Sequence, residues 1–188
     1  MAAAKHLLRY LQGTKYLSII YTATHIPVPL SLYGHCDASW DGDFNNGKST
    51  SGYAFYLNGL IAFASKLQSM VAQSSMESEY YAIGLAAKEL LWLRQLLGEL
   101  GIHGKPPPVY MINSDSQSAI AACKNPVHHA RTKHIALRYH FIRDLVAKGL
   151  MAIGYISTDL NSADVLTKTL KRVKHATAIE LFGMAKVE

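Results

Sequence analysis

At 188 residues, 49% hydrophobic and 17% charged, the chain suits one globular domain of ordinary size with room for a short appendage, and its composition sets aside the disordered classes. No apolar run reaches the roughly 18 residues of a membrane span, the opening Met-Ala-Ala-Ala-Lys-His has no signal-peptide centre, and two cysteines, Cys36 and Cys123, cannot form a disulfide framework. The expected setting is reduced and intracellular with no membrane partner, and a net charge of +6 with a pI near 9.3 is compatible with a polyanion.

Residues 4–12 read as a helix, with Leu7, Leu8 and Leu11 on one side and Gly13 as its stop. Tyr16–Tyr21 reads as a short strand, and Thr24–Pro29, with two prolines, as a linker. The main domain then opens on a strand. Leu30, Leu32, Gly34 and Cys36 fall on one side, and Ser31, Tyr33, His35 and Asp37 on the other, the period of two a pleated strand imposes. Asp41–Gly47 breaks the pattern into a turn. Asp41-x-Asp43-x-Asn45 begins like a calcium loop, but Asn46 and Gly52 stand where its Gly and bidentate Glu belong, which excludes it.

Thr50–Leu57 and Leu60–Lys66 are apolar runs joined by Asn58-Gly59, a strong hairpin signal. Ser74–Leu100 is the longest helical stretch, apolar at Tyr80, Ile83, Ala87, Leu90, Leu91 and Leu97. Ser74 and Glu77 form a capping-box pair, in which Glu77 reaches back to the free N–H of the cap. Glu79 points about 200° away around the helix and is left unexplained by capping. Gly101 ends the helix.

Val109–Ile112 reads as a buried strand running into Asp115, and Ser116–Cys123 as a short helix broken at Asn125-Pro126. Thr132–Lys148 is a further helix closed by Gly149. Leu150–Ser157 is the last strand, Ser157–Asn161 a turn, and a terminal helix starts at Ser162 and carries Asp164, Leu166 and Leu170. Between Ser116 and Asp144 there is no acid, while Lys124, Arg131, Lys133, Arg138 and Arg143 supply positive charge with His134 among them. That imbalance marks a nucleic-acid-facing surface.

The order β-β-β-α-β-α-α-β-α predicts an α/β fold with a five-stranded mixed sheet and helices on both faces. Four of only 13 acids stand at strand–helix junctions in it: Asp37, Glu79, Asp115 and Asp164. Functional groups in open α/β sheets gather beyond the carboxyl ends of strands and beside helix starts. Clustered carboxylates need a cation, and an all-oxygen set selects Mg²⁺ or Mn²⁺. Two such ions make a phosphodiester-cleaving centre, one activating water and the other stabilising the leaving oxygen.

Asp37-Ala-Ser-Trp-Asp-Gly-Asp, Lys48-Ser-Thr-Ser-Gly-Tyr, Ser75-Met-Glu-Ser-Glu79-Tyr and Ser114-Asp-Ser-Gln-Ser-Ala-Ile resemble successive motifs of the copia-type retrotransposon ribonuclease H. So do Asn125-Pro-Val-His-His-Ala-Arg-Thr-Lys-His-Ile, Arg138-Tyr-His-Phe-Ile-Arg and Ala163-Asp-Val-Leu-Thr-Lys, in order from about residue 30 to about 170. The resemblance implies a ribonuclease-H-like fold and an endonuclease that cuts the RNA strand of RNA–DNA hybrids during reverse transcription. It puts the catalytic, metal-binding acids at Asp37, Glu79, Asp115 and Asp164, holding two Mg²⁺ ions for which Mn²⁺ substitutes. It also implies hybrid contacts at Ser116 and Gln117; Arg131, Lys133 and His134 stand as phosphate contacts.

Residues 1–25 then resemble the tail of a reverse-transcriptase connection segment, 26–172 the ribonuclease H domain, and 173–188 a C-terminal extension. With no Tyr-x-Asp-Asp run in the chain, the polymerase portion of the same element is an expected partner. Two departures stand out. The His that related enzymes carry before the last acid is missing from Ser157–Asn161, and Thr169 replaces a customary Pro. The second hypothesis is therefore an inactive remnant that binds nucleic acid or a polymerase without cutting.

Overall fold

A computed structural model describes residues 2–21, 31–43, 46–102, 109–124 and 136–187. The expected linker at 24–29 and the basic residues Arg131, Lys133 and His134 lie outside the described residues.

The centre is a five-stranded mixed sheet in the order β4-β3-β2-β5-β6. Strands β2 (Tyr33–Asp43), β3 (Lys48–Tyr56) and β4 (Leu60–Leu67) form an antiparallel meander, and β5 (Tyr110–Ser114) and β6 (Met151–Tyr155) join it in parallel. Asn58 turns the β3–β4 connection at φ 57°, as its hairpin signal predicts. Strand β2 runs further than its alternation suggests. A bulge between Ser39 and Asp43 lets pairing resume at Asp43↔Lys48, where a turn was expected from Asp41.

Parallel pairs need crossovers, and helices supply them. Helix α2 (Ser75–Glu99) links β4 to β5, while α3 (Gln117–Lys124) and α4 (Ala136–Ala147) link β5 to β6. The main core forms where these helices meet the sheet: Leu32 and Cys36 of the β2 run, Phe55 of β3, Ile83 and Leu90 of α2, Ile112 of β5 and Ile142 of α4 are all essentially excluded from solvent. The alternation read along β2 therefore points Leu32, Gly34 and Cys36 inward, as expected. Gly101 and Gly149 end α2 and α4 at φ 68° and 64°, the left-handed geometry that spares a glycine the Cβ clash.

The other sheet face is covered differently. Ala54, Tyr56 and Leu60 pack beneath Ile19, Leu166 and Phe182. Ile19 belongs to β1 (Leu17–Ile19), which pairs antiparallel with β7 (Met184–Lys186), so residues near the two ends of the chain form one small ribbon. The expected continuous terminal helix from Ser162 is two elements: a 3₁₀ turn at Ser162–Leu166, then helix α5 (Arg172–Leu181). Thr167 breaks the run by donating its hydroxyl back to the Asp164 carbonyl at 3.1 Å and across to Asp37. Helix α1 (Ala2–Thr14) extends past Gly13, and its Leu7, Leu8 and Leu11 stay exposed.

Candidate metal centre

Asp37 lies within the regular part of β2, two residues before the bulge, and is fully buried, opposite Gly52 in the ladder. Glu79 comes from the second turn of α2. Ser74 caps this helix, accepting from the Glu77 N–H at 3.2 Å. The Glu77 carboxylate accepts from the Gln73 N–H at 2.8 Å, one residue ahead of the cap N–H anticipated from the motif. With Glu77 occupied there, Glu79 turns towards Asp37. Asp115 follows the last residue of β5, and the Thr158 hydroxyl donates to it at 2.8 Å.

One carboxylate oxygen from each of Asp37, Glu79 and Asp115 lies within 4.8 Å of the other two. Burial is the main reason the Glu79 carboxyl is pushed up to about 8, and the charges of Asp37 and Asp115 add to it. Asp37 is also raised, again chiefly by burial, against the opposing pull of Lys168 and the Thr167 hydroxyl. Glu79 Oε2 is buried without a hydrogen-bond partner among the described residues. Three hard oxygens at short range, on carboxyls held against burial and mutual repulsion, fit a divalent oxygen-seeking cation.

Asp164 is not a fourth member of that trio. It sits in the 3₁₀ turn, and Lys168 stands between it and Asp37. The Lys168 ammonium is 2.6 Å from Asp164 Oδ1 and 3.3 Å from each oxygen of Asp37. Burial works against the Lys168 charge, but the hydrogen bond to Asp164 and the charge of Asp37 outweigh it and hold the ammonium well above its usual range.

The turn before Asp164 is tied down by a polar chain absent from the motif-based reading. Tyr56 donates to Ser162 Oγ at 2.6 Å, and Ser162 Oγ lies 2.9 Å from His35 Nδ1. Burial lowers His35 to about 4, which favours the neutral ring, and the Ser162 N–H donates to Nδ1 at 3.4 Å, which makes Nδ1 the acceptor. Asn161 Nδ2 donates to the Cys36 carbonyl at 3.0 Å. His35 was visible on the same strand side as Asp37; nothing local points it at Ser162, 127 residues away. Lys168 was quotable as the end of the Ala163–Lys168 motif, and its i+4 spacing from Asp164 was the available signal.

Ser116 and Gln117 open α3. Ser116 Oγ accepts from the Ala119 N–H at 3.3 Å, which gives it a capping task, and Gln117 is exposed.

No family model matches the chain. It is 44% identical over 183 residues to the retrovirus-related Pol polyprotein of transposon TNT 1-94 from Nicotiana tabacum, covering 97% of this chain. The Pol polyproteins of transposons RE2 and RE1 from Arabidopsis thaliana are 42% and 40% identical over 98% and 100% of it. The chain spans only 12–13% of the length of these relatives.

Among solved structures, an RNase H1 isolated from compost is similar at a TM-score of 0.55 and 14% identity, over 73% of this chain and 92% of that one. The same enzyme is known in complex with an RNA/DNA hybrid. The N-terminal RNase H domain of a Mycobacterium tuberculosis protein gives 0.53 at 13% identity, over 80% of this chain and 98% of that one. Sequence matches over nearly the whole chain and the likeness of fold agree: the chain is a ribonuclease-H-like domain of the copia-type, retrovirus-related Pol polyprotein family.

Proposed function

We propose that this domain hydrolyses the RNA strand of RNA–DNA hybrids, with Asp37, Glu79, Asp115 and Asp164 as its catalytic acids and two Mg²⁺ ions as cofactor. The observation that carries the reading is the close trio of Asp37 in β2, Glu79 in α2 and Asp115 just after β5 of a ribonuclease-H-like sheet. Asp37, Glu79 and Asp115 would hold one ion, and Asp37 with Asp164 the other. When bound, such a pair generates a hydroxide nucleophile at neutral pH and stabilises the departing oxygen.

The protein's own groups do the rest. Asp37, rigid at a ladder position, is the residue both halves of the centre share. Glu79 would hold the ion as a carboxylate, and an ion there would offset the burial and charge that raise its carboxyl. Thr158 orients Asp115 through its hydroxyl. The hybrid-bound compost enzyme supports the substrate class. Ser116 and Gln117 would meet the hybrid's minor groove, and Arg131, Lys133 and His134 its phosphates. The exposed Leu7, Leu8 and Leu11 of α1 support association with the polymerase portion of a longer polyprotein.

The second reading, a module that binds hybrid without cutting it, is favoured by Lys168 already neutralising Asp37 and Asp164. Incubation of an end-labelled hybrid with the protein, across Mg²⁺ and Mn²⁺ concentrations and with a chelator control, separates the two. RNA-strand cleavage that requires the metal is the expected result; intact RNA with retained hybrid binding would establish the non-cutting module instead.

A further inference from the structure

We propose that Lys168 is a built-in counter-ion that fills the Asp37–Asp164 half of the centre in the metal-free protein and must swing out before a second divalent cation enters, so that the ions load in a set order. The inference rests on the metal-centre reading above and adds to it a residue with no assigned role.

The two halves of the site differ in what they lack. The Asp37–Glu79–Asp115 half has three converging acids and a Glu79 oxygen without a hydrogen-bond partner among the described residues, so it is short of a cation. The Asp37–Asp164 half already has one. Lys168 is within 3.3 Å of both Asp37 oxygens and 2.6 Å from Asp164. A compact ammonium is a fair electrostatic substitute for a metal ion, but it carries one charge and cannot polarise water as a divalent ion does.

The backbone places it there. The Lys168 N–H donates to the Asp164 carbonyl at 3.1 Å, and the Thr167 hydroxyl reaches Asp37, so the turn delivers Lys168 to both acids at once. The side chain is nevertheless 40% exposed, while Asp37 is completely buried and Asp164 only 11% exposed. The lysine therefore has a route to solvent by side-chain rotation, whereas the acids are enclosed. That asymmetry suits a removable plug. One cation between Asp37 and Asp164 offsets part of their mutual repulsion.

The test is calorimetric titration of the wild-type domain with Mn²⁺, alongside Lys168→Met and Lys168→Gln, with thermal melts in chelator as a second readout. Wild type is expected to take one ion readily and a second only at higher concentration. In both variants the second ion should bind about tenfold more tightly or better, the low end of the coupling seen for close charge pairs, and the metal-free melting temperature should fall and be restored by Mn²⁺. Lys168→Gln serves if the Met variant fails to fold. First-ion binding intact with the second unchanged or weakened in the folded variants would overturn the role of Lys168 alone. Absence of any ion binding in wild type and variants would overturn the metal-centre reading and this proposal with it.

Discussion

Gly52 stands directly across the β2–β3 ladder from Asp37, and its missing side chain is the space into which the Ser162–Thr167 turn descends. A Cβ at residue 52 would lie 2.9 Å from both Leu166 Cβ and Thr167 Cγ2 and 3.2 Å from the Ala163 carbonyl. None of these is the far end of a long flexible side chain, so the turn itself would have to move. Gly52→Ala should therefore cost about 1–3 kcal/mol, as overpacking does, and weaken divalent-ion binding by displacing Asp164. Chemical denaturation and metal titration of the variant check both effects; unchanged values would mean the turn yields freely.

Asp37→Asn should abolish cleavage of a labelled hybrid while leaving the fold and hybrid binding largely intact. The substitution keeps shape, and it removes one of the charges that raise Glu79. Activity, circular dichroism and a binding assay on the same preparation test this, and a wild-type cleavage rate would mean Asp37 has been misassigned.

Glu77→Gln makes the opposite prediction. Glu77 is buried and accepts from the Gln73 N–H, outside the acid trio. Losing the charge-assisted part of that bond should cost roughly 0.5–2 kcal/mol, the range of helix caps, with activity per folded molecule preserved. A large loss of specific activity at unchanged stability would move Glu77 into the site.

The metal-free protein should respond to pH through two groups shifted in opposite directions. Glu79 is raised from 4.5 to about 8, so the folded state holds a proton there that the unfolded chain releases. The stability it contributes is full below pH 4.5 and lost as pH rises through 8. His35 is lowered from 6.5 to about 4, so its contribution is full above pH 6.5 and lost as pH falls through 4. The two slopes oppose each other between 4.5 and 6.5. From pH 6.5 to 8 the Glu79 slope is no longer opposed by His35, and the melting temperature in chelator should decline there. Glu79→Gln should flatten that decline, and Mn²⁺ affinity of the wild type should rise over the same interval as the proton becomes easier to displace.

Ser162→Ala removes the hydroxyl that accepts from Tyr56 and meets His35 Nδ1. Leaving buried polar groups unpaired should cost about 1–3 kcal/mol and loosen the turn that carries Asp164. Thermal melts, and hydrogen exchange at residues 161–168, would register both; native protection there would show that the Cys36–Asn161 bond suffices alone.

Local sequence was enough for what local physics controls. The alternation of Leu32, Gly34 and Cys36, the Asn58 turn, the Ser74 cap and the glycine ends of α2 and α4 each depend on a few neighbouring residues, and all appear where those residues place them. The capping role of Glu77 likewise singled out Glu79 as the unexplained acid. The recognisable motif order also foretold the mixed five-stranded sheet. Where the sequence reading overran, as in a continuous helix from Ser162, helical spacing could not anticipate Thr167 spending its hydroxyl on Asp37, 130 residues away. Position 37 was marked by its place at the end of an alternating strand. That it sits fully buried beside Glu79 and Asp115, with Lys168 bridging it to Asp164, was decided only by tertiary structure, because those partners come from three other stretches of the chain and their attraction and repulsion exist only once the sheet has brought them within a few ångströms.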